Sequence, residues 1–248
     1  MRPAAGPDAS ASTYTWKPNS TTSQTARATF APRVCSVLDA TISRRYTEIA
    51  DVYIDMFGAV EHVDPEDLQF LHRHLGRCDG TVLDVGCGPG HLTAYLTELG
   101  AIARGVDLVP AFIDGARSHW PELDFAVGSM RDLDVPDHSL GGILAWYSLI
   151  HCEPTELGAV LAGFRRSMKH DGTLVVGFFE GDELEPFDHK VITAHRWPID
   201  QLSRLLSAVG FVEIERMRRA GNDRVRPHAA LALRATCLRQ SAMSWREN

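Results

Sequence analysis

The sequence predicts an α/β fold: a doubly wound, mostly parallel seven-stranded sheet with an antiparallel edge hairpin, plus an N-terminal helical cap. Three observations carry this reading. After Gly80, short β-rich runs alternate with helical stretches, the pattern of parallel strands joined by crossover helices. The last two strands follow each other with no helix between them, so they run antiparallel. Ahead of Gly80, apolar residues recur at spacings of three and four, the period of an amphipathic helix.

The elements follow in order. Residues 1–34 are rich in Ala, Ser, Thr and Pro without periodicity and read as a disordered tail. The cap, 35–76, holds one helix from Ile42 to Phe57, ending near Gly58, and another from Pro65 to Leu75, where proline suits the first turn. The sheet domain, 77–238, has strands at Thr81–Val85, Ile102–Val106, Leu123–Val127, Gly142–Trp146, Thr173–Phe179, Phe211–Met217 and Ala229–Ala235. Its helices are His91–Leu99, Pro110–His119, Pro154–Lys169 and Pro198–Val209. Residues 180–197 form an insertion too long for a simple turn and read as a lid; 239–248 are a C-terminal tail.

Composition bounds the function. With 248 residues, 44% of them hydrophobic and 23% charged, the chain fits an ordinary globular domain with a sizeable core. No apolar run reaches the roughly 18 residues of a membrane span, and the first residues lack a secretory h-region. The expectation is a cytoplasmic protein without a membrane partner. A net charge of −7 gives no support to a nucleic-acid partner. The five cysteines are scattered without a C-x-x-C pair, which argues against structural zinc and against a disulfide framework. No metal is expected, and a homodimer is left open.

The informative stretch is Val82-Leu83-Asp84-Val85-Gly86-Cys87-Gly88-Pro89-Gly90-His91-Leu92-Thr93. An apolar strand runs into three glycines and then a helix. Glycines permit a sharp turn and close approach to a ligand, and a helix N-terminus offers free N–H groups. A tight structural turn is the plain alternative. A dinucleotide fingerprint would place its third glycine at His91, one residue later than Gly90, and the lysine of a phosphate-binding loop is missing. The second strand leads into Asp107, about twenty residues on, the spacing of a carboxylate that grips ribose hydroxyls. The third strand ends at Gly128-Ser129-Met130, where a base edge could meet a small polar and an apolar side chain.

These runs, with Gly105-Val-Asp107-Leu108, the stretch Leu144 to His151 and Lys169-His-Asp-Gly172, resemble the class I, Rossmann-like methyltransferases that use S-adenosylmethionine (SAM), of the small-molecule type. The resemblance covers roughly 42–235. It implies that Gly86, Cys87, Gly88 and Gly90 carry the methionine part of SAM on a loop organised by Asp84. It implies Asp107 on the ribose, Leu108 against the adenine, and Ser129 and Met130 flanking it; the family more often has Asp at Ser129. Trp146 and Tyr147 would stand beside the sulfonium, which aromatic faces favour. Core packing is the alternative for Trp146. Tyr46 and Tyr53 resemble tyrosines that close over SAM, although a helix packing its aromatic face is the stronger reading for at least one of them.

The resemblance implies a small-molecule acceptor, read here as a secondary metabolite methylated at O, N or C. A SAM enzyme coupling methylation to cyclisation or rearrangement, and a non-catalytic protein on the same fold, are the competing readings. The catalytic candidates are His151, Tyr147 and His189. His151 follows the fourth strand on the ligand side, with helix capping as the alternative. Asp188-His189-Lys190 and His195-Arg196-Trp197 could line the acceptor pocket or be solvated loop, and Arg226 and His228 could face substrate. The tetrad of exocyclic-amine methyltransferases reads Trp146-Tyr147-Ser148-Leu149 here, so it is not present.

Overall fold

A computed structural model describes residues 36–222 and 225–236; both expected tails, 1–34 and 239–248, lie outside them. The elements are α1 (Val37–Thr47), α2 (Ala50–Phe57), α3 (Pro65–Leu75), β1 (Thr81–Val85), α4 (His91–Glu98), β2 (Ile102–Asp107), α5 (Pro110–His119), β3 (Asp124–Val127) and β4 (Leu140–Trp146). They continue with α6 (Pro154–Ser167), β5 (Met168–Phe179), β6 (Glu185–Phe187), β7 (Ala194–Arg196), α7 (Ile199–Ala208), β8 (Phe211–Arg219) and β9 (His228–Ala235).

The main sheet has seven strands in the order β3-β2-β1-β4-β5-β9-β8. β9 is the reversed strand, inserted antiparallel between β5 and β8. Chain order changes direction between β1 and β4, so a crevice opens beyond their carboxyl ends, where ligands of such sheets bind.

Alternation along the strands builds a core on each face. Leu83, Ile143, Leu174 and Val176 meet Leu157, Leu161 and Phe164 of α6 and Ile199, Leu202 and Leu206 of α7. Their neighbours Val82, Leu144 and Val175 meet Phe70, Leu71 and Leu75 of α3 and Leu92 and Leu96 of α4. Strands buried on both faces read as continuous apolar runs, which is why the sheet is legible in the sequence.

Three expectations change. The single helix Ile42–Phe57 is two, broken at Glu48–Ile49. In α1 the hydroxyls of Thr41 and Thr47 donate to the carbonyls four residues back, an arrangement that weakens a helix. The helix from Pro154 ends at Ser167, not Lys169, because the fully buried Met168 turns extended and pairs with Leu140 of β4. The 180–197 insertion is not featureless: β6 and β7 pair antiparallel within it.

Candidate functional site

The loop after β1 holds all three glycines at positive φ: Gly86 at 75°, Gly88 at 53° and Gly90 at 90°. Their surroundings differ. A Cβ on Gly86 would lie 2.3 Å from the Ser148 Cβ, and one on Gly90 would lie 2.7 Å from the Phe125 ring. One on Gly88 would meet nothing closer than Tyr53, at 3.9 Å. Gly86 and Gly90 are therefore fixed by packing, whereas Gly88 borders open space roofed by Tyr53. Cys87 packs its side chain with Ile113, Ala116 and Phe125, so only its backbone can meet a ligand.

Two buried carboxylates hold this loop. Asp84 accepts from the Thr93 hydroxyl at 2.7 Å. Asp107 accepts from the backbone N–H of Gly88 and of Val109, each at 2.8 Å and on different oxygens. Burial pushes their carboxyls up to about 7 for Asp84 and about 6 for Asp107, against the hydrogen bonds that favour the ionised forms. With Leu108 as a third backbone donor, the Asp107 carboxylate still keeps lone-pair capacity for a ligand hydroxyl.

The cap closes this side of the crevice. Tyr46 and Tyr53 stand edge-on with ring centroids 5.5 Å apart, and both pack on Phe112 of α5. Ser43 donates to the Leu108 carbonyl at 2.9 Å. Ser129 is buried and donates to Asp39 of α1 at 2.7 Å, and Asp39, fully buried, also pairs with Arg131. Asp39 and Arg131 escaped the sequence reading. A residue 90 positions away in an irregular part of the pattern carries no local signal that it meets Ser129. Met130 packs against the main core, with the Cys152 thiol 3.5 Å from its sulfur.

Beyond β4 lies a second group. Tyr147 has φ of 54°, a strained conformation for an aromatic residue, of the kind that collects at functional sites. The turn sets its ring 5.1 Å from Phe179 and 6.0 Å from His228. Trp146 packs with the cluster under α3 and α4, against the bare face of Gly177, so packing accounts for it.

His151 is buried. Its Nδ1 lies 2.9 Å from the Thr193 carbonyl, which can only accept, so Nδ1 carries the proton. Nε2 then presents its lone pair to the Tyr46 hydroxyl, which donates to it at 2.8 Å. Burial lowers the imidazole to about 4 and keeps it neutral. His189, on the loop between β6 and β7, has its ring 5.3 Å from that of His151 and near Phe179 and Phe187. The structure thus brings Tyr46, His151, His189 and Tyr147 into one aromatic chain. His195 and Trp197, expected as pocket or solvated loop, are instead buried, Trp197 in the main core.

Sheet order, glycine loop and Asp107 together define the fold of the class I SAM-dependent methyltransferases. Residues 82–172 match the model of the methyltransferase-domain family. The chain is 40% identical over 63 residues to a ubiquinone biosynthesis O-methyltransferase of Nitrosococcus oceani, covering 25% of this chain and 27% of that one. It is 30% identical over 134 residues to a malonyl-[acyl-carrier protein] O-methyltransferase of Yersinia pestis, covering 54% and 48%. The chain thus spans half or less of the length of these curated relatives. Among solved structures, the Burkholderia thailandensis 1,6-didemethyltoxoflavin-N1-methyltransferase, with bound 1,6-didemethyltoxoflavin and S-adenosylhomocysteine, matches with a TM-score of 0.66 at 25% identity, covering 84% of this chain and 94% of that one. No described helix is long and apolar enough to cross a membrane.

Proposed function

We propose that this chain transfers the methyl group of SAM to a small-molecule acceptor, a secondary metabolite methylated at O, N or C, in the cytoplasm. The observation that carries the reading is the space bordered by Gly88, with the Asp107 carboxylate at its edge and Tyr53 above it. The residues present fit the cofactor. Gly88 leaves room where any side chain would intrude, Asp107 retains lone pairs for ribose hydroxyls, and the tyrosine faces of the cap suit a cation. Leu108, Ser129 and Met130 would hold the adenine, and the backbone of 86–90 the methionine part.

When bound, SAM would supply an electrophilic methyl group to a nucleophilic electron pair of the acceptor, and an acceptor that carries a proton must lose it. His151 is the residue built to take it. Its Nδ1–H is fixed on Thr193, so its neutral Nε2 lone pair faces the site. An acceptor hydroxyl that replaces the Tyr46 hydroxyl there delivers its proton to Nε2. Tyr147 and His189 flank the acceptor, and the cap with the 180–197 insertion excludes water.

Calorimetry with SAM, S-adenosylhomocysteine and NAD tests the cofactor. The reading requires binding of the first two, and tighter binding of NAD would overturn it. Release of S-adenosylhomocysteine in the presence of acceptors tests catalysis.

A further inference from the structure

Where β5 and β9 end, three half-buried rings gather. The Phe179 ring lies 5.1 Å from Tyr147 and 5.3 Å from Phe187 of β6, the latter pair perpendicular. The Arg196 guanidinium also stands 4.8 Å from the Phe187 centroid, so a planar guest here would stack on Tyr147 or Phe179 and meet Phe187 at its edge. Arg226, exposed on the segment entering β9, holds its guanidinium 5.0 Å from the Phe187 centroid and 5.9 Å from that of Phe179. Among the described residues it has no carboxylate partner. A cation stationed over a ring pair without a counter-ion is available to an incoming anion.

Polar atoms in the same place point the same way. Nδ1 of His189 and Nε2 of His228 are buried without a hydrogen-bond partner, and His228 as a whole is only 6% exposed. Orphaned buried atoms of this kind destabilise a fold unless water or a ligand meets them. Around His189 positive charge prevails, while Glu180, Asp182, Glu183 and Glu185 line the neighbouring groove with Arg196 and Pro227. After burial, Arg226 and then Lys190 are what most depress the His189 imidazole, with Asp188 opposing them. A cationic acceptor would be repelled by Arg226 and would compete with it for the ring faces.

We propose that the acceptor is a planar aromatic acid, its ring seated among Tyr147, Phe179 and Phe187, its acid group on Arg226 and a proton-bearing substituent on the free histidine nitrogens. This rests on the methyl-transfer reading, since it names the substrate of that same site.

The test uses the full chain with S-adenosylhomocysteine and a panel of hydroxybenzoates and hydroxynaphthoates, each beside its carboxamide and its cyclohexane analogue, with affinities from calorimetry. Aromatic acids are expected to bind about tenfold or more tighter than the amides, the scale of one charge-assisted hydrogen bond. Arg226→Gln should erase that preference while leaving the S-adenosylhomocysteine affinity within about twofold, since Arg226 is a surface residue of the acceptor side. Phe187→Leu should reduce the preference for aromatic over cyclohexane probes. Acids and amides binding alike, no panel member binding, or an Arg226→Gln variant that keeps the preference would each overturn the inference and leave the cofactor reading standing. Failure of S-adenosylhomocysteine itself to bind refutes the cofactor reading, and this inference with it.

Discussion

Alanine at each loop glycine separates what the fold needs from what the ligand needs. All three positions lie at positive φ, so each substitution carries the left-handed penalty of an L-residue, roughly 1–2 kcal/mol. At Gly88 that is the whole cost to folding, because the new methyl would meet only Tyr53, at ordinary contact distance. In a domain of this size, roughly 2–4 °C is lost per kcal/mol, so Gly88→Ala should melt about 2–8 °C lower. Gly90→Ala adds overpacking against Phe125 and Ala116, neither able to give way in a buried cluster, for about 2–5 kcal/mol in all and a drop of about 4–20 °C. Gly86→Ala, aimed at Ser148, should behave like Gly90→Ala. Binding should fall in the opposite order of stability. Gly88→Ala fills the space proposed for SAM and should weaken S-adenosylhomocysteine more than tenfold, about 1.4 kcal/mol. Scanning calorimetry and titration calorimetry on the three variants read both quantities. A Gly88→Ala protein that binds S-adenosylhomocysteine within about threefold of wild type would refute the assignment of that space.

Three more outcomes follow from the same geometry. Asp107→Ala should weaken S-adenosylhomocysteine by about 1–3 kcal/mol in titration calorimetry, and unchanged affinity would contradict the ribose role. His151→Asn should slow methyl transfer while cofactor binding holds, and a wild-type rate removes His151 from the mechanism. The same variant carries a pH signature. The folded imidazole sits at about 4 against an ordinary 6.5, so the unfolded chain takes up the proton first. Stability linked to this group is intact above about pH 6.5 and is lost as pH falls toward 4, by up to about 3 kcal/mol. The buried Asp84 and Asp107 act in the opposite sense, which is why the difference between wild type and variant in urea unfolding, not the raw curve, is the measure. Asp39→Ala leaves the Ser129 hydroxyl without its acceptor and the Arg131 guanidinium with Glu156 alone, and should cost about 1–3 kcal/mol in thermal unfolding; an unchanged melting temperature would show that the pair is not structural.

What could be read from the sequence was whatever depends on neighbours in the chain. The run Val82–Val85 is apolar because β1 is buried on both faces, and three glycines follow because the backbone turns left-handed three times. Asp107 was visible as a spacing. Its grip on the loop through Gly88 was not, since a hydrogen bond 19 residues long leaves no periodic trace. The strand at Met168 was masked by helix-forming neighbours, and only its pairing with Leu140 decides it. Asp39 lay ahead of the helix expected from Ile42 and carried no signal of its own; burial against Ser129 and Arg131 makes it the anchor of the cap. The acceptor side was least legible, because its rings come from β4, β5, β6 and β9 and meet only when the sheet and insertion close.

The cap is stitched to the domain at residues proposed to border the cofactor: Ser43 on Leu108, Asp39 on Ser129, Tyr46 on His151. Each stitch joins a helix that must withdraw to a residue that must stay. In the proposed enzyme, exchange of spent cofactor past the cap would break these bonds. The Tyr46 stitch ends on the proposed base itself, so an acceptor hydroxyl that displaces Tyr46 from Nε2 frees the base and removes one of these three bonds while the other two still hold the cap.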